Sequence, residues 1–98
     1  MLAAARSFED LGVSSYNGAG FLLDSADFLT VAGKIVSVEA RHAAVLRDLI
    51  EPGSVAFAGD DLVDATTRRD TFRLPDQVLQ TTATYITTPL DSTELPRS

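Results

Sequence analysis

Apolar positions in residues 2–23 (LAAARSFEDLGVSSYNGAGFLL) recur at Leu2, Ala5, Phe8, Leu11, Ser15, Ala19 and Leu22, the three- and four-residue steps of one helical face. Gly12, Gly18 and Gly20 lie inside this run. Each weakens a helix by up to about 1 kcal/mol relative to alanine, yet small residues also let a second helix approach closely. A cleaner stripe follows over 24–51. Phe28, Ala32, Ile35, Val36, Glu39, His42 with Ala43, Leu46, and Leu49 with Ile50 keep a 3.6-residue period. Asp24 or Ser25 is placed to cap its start, and Asp27 suits the positive first turn. Pro52-Gly53 stops it. The stripe carries two polar residues, Glu39 and His42, at positions that a core would fill with apolar ones.

Beyond Pro52 the pattern weakens. SVAFAGDDLVDATTRRDTFR mixes turn residues, charges and isolated apolar positions, which predicts an irregular, mostly surface connection over 53–74. Pro75 opens PDQVLQTTATYI, where Val78, Leu79, Thr82, Tyr85 and Ile86 predict a short helix within 75–88, although threonines form helices poorly. Residues 89–98 read as a polar, proline-punctuated flexible tail. The two long helices have almost no chain between them, so they must fold back as an antiparallel hairpin over 1–52. The fold class is all-α: a helical hairpin plus a short C-terminal helix, with one apolar face of the hairpin left for something else to cover.

Composition narrows the function. The 98 residues amount to one domain or part of one, and small size makes help from a partner expected. With no cysteine, disulfides, thiolate metal sites and thiol catalysis are excluded. The net charge is −6, spread evenly over both halves, so no basic face exists to track nucleic acid. No basic and apolar leader pattern appears, so no signal peptide is expected in this chain, and apolar runs are too short for a membrane span. The GAG at 18–20 lacks the spacing and lysine of a phosphate loop. Ser14, Ser15 and Ser37 have one histidine available but no strand–turn–helix elbow.

The remaining chemistry lies in the two helices. Taking the hairpin turn at Asp24, Glu9 lies 15 residues before it and Glu39 15 residues after. Both then stand about 22 Å from the turn, at one height. His42 lies one turn along from Glu39 on the same face. Two carboxylates and an imidazole converging inside a helical bundle suit a carboxylate-bridged pair of divalent metals, and oxygen and nitrogen donors favour iron or manganese. Plainer readings compete with this one: His42 as a hydrogen-bonded core residue, and Glu9 beside Asp10 as solvated acid on a helix edge. Tyr16 stands near enough to donate a hydrogen bond to such a site, or to pack in the core. Arg41, Arg47 and Asp48 are read as exposed.

The stretch SFEDLGVSSYNGAGFLLDSADFLTVAGKIVSVEARHAAVLRDLIEP (7–52) closely resembles the second half of ferritin-like domain proteins, the stand-alone bacterial and fungal group often exported by the twin-arginine route. That group's acidic FEDxGVxxYxGA helix is matched by Phe8 to Ala19, and its IxxVExRHxxxLR helix by Ile35 to Arg47. The FRLPDQVLQTTATYI segment is similar to the family's trailing helix. The resemblance implies half of a ferritin-like four-helix bundle, with Glu9 as the lone glutamate of the third bundle helix. Glu39 and His42 would be the ligand pair of the fourth, on a di-iron centre (manganese is an alternative). It also implies that the first two helices, with three of the six protein ligands, are missing here. A second copy of the chain or a complementary half-bundle would have to supply them, as short two-helix encapsulated ferritins build metal sites between subunits. Oxidation of ferrous iron by dioxygen is implied only where the complete site assembles. The alternative is a metal-free helical structural or interaction module.

Overall fold

A computed structural model describes residues 1–97 and consists of helices and loops. Helix α1 spans Leu2–Ala19, α2 spans Ala26–Ile50, and α3 spans Pro75–Thr82; single 3-10 turns occupy Ala56–Ala58 and Asp60–Leu62. Among the described residues, strand pairing is confined to an isolated antiparallel bridge between Val63 and Asp70.

The boundaries follow local chemistry. Ser25 caps α2, its hydroxyl accepting from the Phe28 N–H at 3.3 Å, with Asp27 in the first turn. At the far end Pro52 cannot continue the helix and Gly53 takes a positive φ of 74°. Helix α1 stops at Ala19, short of the predicted Leu23. The N–H groups of Phe21 and Leu22 turn back onto the carbonyls of Gly18 and Ala19, and this tight turn reverses the chain. Helix α3 is likewise shorter than the predicted 75–88. Pro75 starts it and Gln77 accepts from the Leu74 N–H at 2.9 Å. The hydroxyls of Thr81, Thr82 and Thr84 then bond back to nearby carbonyls, the local competition that makes threonine a poor helix former.

Helices α1 and α2 pack antiparallel as the hairpin. Leu11, Val13, Ser14 and Gly18 of α1 are buried, as are Ala32, Ala43 and Arg47 of α2. The connection after α2 is mostly exposed, as expected, but it is not loose. It returns along the outside of α1 and is pinned there. The Arg73 N–H donates to the Ser14 carbonyl at 2.8 Å, and the Arg73 guanidinium donates to the Ser14 hydroxyl. A Cβ on Gly18 would sit 1.9 Å from the Arg73 carbonyl oxygen, so only glycine lets the strap pass this close. Edge-to-face packing of Phe21 on Phe72, with ring centroids 5.3 Å apart, and tilted packing of Phe8 on Tyr85, at 4.8 Å, extend the seam.

One side of the hairpin is therefore covered from within the chain and another is not. The single apolar stripe predicted for α2 divides in two. Ala32, Val36, Glu39, Ala43 and Arg47 turn toward α1, whereas Phe28, Val31, Ile35, Val38, Val45 and Leu49 stay open to solvent. Among the described residues no helix is long and apolar enough to cross a membrane.

Candidate functional site

Glu9, Glu39 and His42 share one patch between α1 and α2. His42 Nδ1 lies 3.3 Å from Glu9 Oε1. The Glu39 carboxylate sits against Gly12, where a Cβ would come within 2.7 Å of its Oε2. The arrangement follows from the direction of helical side chains, which lean toward the N-terminus of their own helix. On α1 that direction leads away from the turn, and Glu9 leans to His42. On α2 it leads toward the turn, and Glu39 leans over Gly12. Two carboxylates rooted at similar heights thus diverge by about one helical turn.

Solvent access differs across the patch. Glu9 and Glu39 are half-buried, while the His42 side chain is 58% exposed and stands at the open edge rather than inside a core. Glu39 Oε2 is wholly buried and has no hydrogen-bond partner among the described residues. Burial first, and the Glu9 charge second, push the Glu39 carboxyl above its ordinary value, with His42 offsetting part of the shift. Tyr16 is half-buried on α1.

The donor set of two carboxylates and one imidazole has the right chemistry for a divalent metal that prefers oxygen and nitrogen. Its placement is incomplete. Among the described residues, no group of three or more carboxylate, imidazole or thiol side chains is arranged to hold a metal ion. The patch also lies on an open face. Two clefts lie elsewhere, about 610 Å³ beside Phe21, Phe72 and Arg69 and about 240 Å³ beside Arg6, Arg47 and Asp61.

A second polar cluster escaped the sequence reading. Arg47, expected at the surface, is 3% exposed. Its guanidinium grips Asp10 through two bonds, Nη1 to Oδ1 at 2.6 Å and Nη2 to Oδ2 at 2.9 Å. Asp61, from the connection, lies 3.5 Å from Arg47 and accepts from Arg6 at 2.8 Å. The signal was present in the spacing: Arg47 falls four residues after Ala43, on the row that faces α1. Arg41 and Asp48 are exposed as expected. The Ser14–Arg73 contact had no signal of its own, because nothing local tells a strap residue which helix it will meet.

Residues 1–52 match the family model described as the ferritin-like domain. No curated protein and no solved structure matches the chain. The matched segment is the helical hairpin with Glu9, Glu39 and His42 on it, and the chain belongs to the ferritin-like domain family.

Proposed function

We propose that the chain is a metal-binding half-bundle, its Glu9, Glu39 and His42 supplying half the ligands of a di-iron carboxylate centre that a second half-bundle completes. The observation carrying this reading is the buried Glu39 oxygen without a partner. A carboxylate kept from water costs about 1–3 kcal/mol when nothing answers it, and here Glu9 adds a second acid beside it. Divalent cations would relieve both.

Within this reading Glu39 is the inner carboxylate, oriented by the space over Gly12, and its rise above the usual carboxylate range means that metal uptake releases a proton when that acid is protonated. His42 presents an imidazole at the open edge, its Nδ1 3.3 Å from Glu9 Oε1, so that both groups could face one cation. An iron pair held there would supply one-electron chemistry at each ion; oxidation of ferrous iron, with dioxygen as the electron acceptor, is the reaction proposed where the site is complete.

The test compares melting of wild type with that of the double variant Glu39→Ala, His42→Leu, each with and without ferrous ion. Wild type should rise in Tm with iron and the variant should not; uptake should approach one di-metal site per two chains. Uptake near zero overturns the reading. It would favour a metal-free interaction module, which the open apolar face of α2 also supports.

A further inference from the structure

The uncovered face of α2 has an order of its own. Phe28, Val31, Ile35, Val38, Val45 and Leu49 are 39% to 68% exposed, and with His42 they step by three and four without a break. That is the a and d seam of a heptad repeat, the pattern by which one helix packs lengthwise on another. On one flank of the seam, Glu39 and Ala32 lie on the side turned to α1. The other flank is a charged row, Asp27, Lys34, Arg41 and Asp48, all exposed.

We infer that this seam is where a second copy of the chain docks, α2 against α2 in antiparallel orientation about a two-fold axis. The six apolar side chains present on the order of 500 Å² per copy, so a pair hides at most about 1,000 Å², the threshold for a specific interface. The charged row selects the occupant and its register. In an antiparallel pair this row meets its own counterpart, and two registers keep six of the seven seam positions of each copy stacked. One sets Ile35 on Val38 of the second copy and opposes only like charges, Lys34 to Arg41 and Asp27 to Asp48. The other sets Val38 on His42 and Ile35 on Val45 of the second copy. It places Lys34 against Asp48 twice, at the cost of one Arg41–Arg41 approach at the axis and one Glu39–Glu39 approach on the other flank, whereas every pair of the charged row in the first register is repulsive. Charge complementarity therefore favours the second register. Its axis passes beside Ala40 and Arg41, which brings the two Glu39 and His42 pairs to one level. This deepens the metal-site proposal and rests on it for its functional consequence, whereas the docking itself needs no metal.

The experiment is sedimentation velocity on the full chain without metal, and on Lys34→Glu and Asp48→Lys, singly and mixed. Wild type should sediment at twice the chain mass. Each single variant should weaken the dimer by about tenfold or more, and the two mixed in equal amounts should regain it, since every Lys34–Asp48 contact is then again between opposite charges. Val45→Glu should also give monomers with unchanged helical circular dichroism. A wild-type chain that stays monomeric with and without ferrous ion overturns the inference. So does a dimer indifferent to these substitutions, or association only with a different helical protein. A dimer that takes up no iron leaves the docking standing and removes the metal site; a chain that pairs only in the presence of ferrous ion, or a monomer that binds iron, overturns the docking, and the latter also overturns a site shared between two chains.

Discussion

Glu9 and Asp10 are adjacent on α1 and both reach toward α2, yet their surroundings differ. Asp10 is met by the forked guanidinium of Arg47 through two short bonds, and Arg6 adds a third contact at 3.4 Å. Glu9 meets a half-exposed imidazole, and its charge acts on the carboxylate of Glu39, whose inner oxygen has no partner among the described residues. One cluster balances its charge from within the chain and fixes how the elements pack. The other carries surplus acid in partial burial, which a fold tolerates only at a cost. Structure alone accounts for the first; the second is the patch on which the proposed metal site rests.

The sharpest way to break this comparison is to remove Arg47. Arg47→Met should cost on the order of 3 kcal/mol, because Asp10 would keep a largely buried charge without its main partner, as read by urea denaturation. A loss below about 0.5 kcal/mol, the size of an ordinary surface change, would mean that the cluster holds nothing. Adding Asp10→Leu to that variant should recover about 2 kcal/mol, since an apolar pair of similar bulk replaces a buried ion pair at little net cost; the double-mutant cycle measures the coupling directly.

The acid patch should respond with the opposite sign. Glu39→Met, in metal-free protein at neutral pH, should stabilise by about 1 kcal/mol by removing the unanswered carboxylate, a rise of about 5 °C in Tm for a domain of this size. A pH series sharpens the point. The Glu39 carboxyl is raised above 4.5 in the folded chain, so the folded state holds this proton more tightly than the unfolded state. Its contribution therefore favours folding at low pH and is lost as pH climbs from about 4.5 through the raised folded value, beyond which it is flat. Wild type minus Glu39→Gln should show that slope. Smallest of all is Gly12→Ala: a helical gain of up to about 1 kcal/mol against a Cβ that must push aside a flexible carboxylate 2.7 Å away. Net stability should move by no more than about 0.5 kcal/mol, while iron-dependent stabilisation falls because Glu39 has been displaced.

Much of the hairpin was legible because its signals are local. Ser25, Asp27 and Pro52-Gly53 fix α2 through capping, dipole and chain geometry, and the apolar period needs no knowledge of the partner helix. The approach of Glu9 to His42 was legible too, since similar counts from a turn give similar heights in antiparallel helices, whereas the lean of Glu39 away from Glu9, over Gly12, was not. Three other features were not. His42 was expected indoors but stands at the rim, because α2 is apolar over two faces and a stripe cannot say which one α1 will take. Arg47 looked like surface for the same reason, being assigned by its charge rather than by its row. The strap from Thr71 to Leu74 was hidden because its contacts with Ser14, Asn17 and Gly18 join residues more than fifty apart.

The sequence by itself determined two helices, their reversal, and a small set of acid and imidazole groups near one level, since each depends on rotation per residue and on neighbours a few positions away. Only the tertiary structure decided which carboxylate is answered and which is left over. That choice depends on where long side chains lean, on which face of α2 is taken by α1, and on a distant strap closing the other side of α1. Those are packing outcomes, set by the whole chain competing for the same surfaces, and no local spacing encodes them.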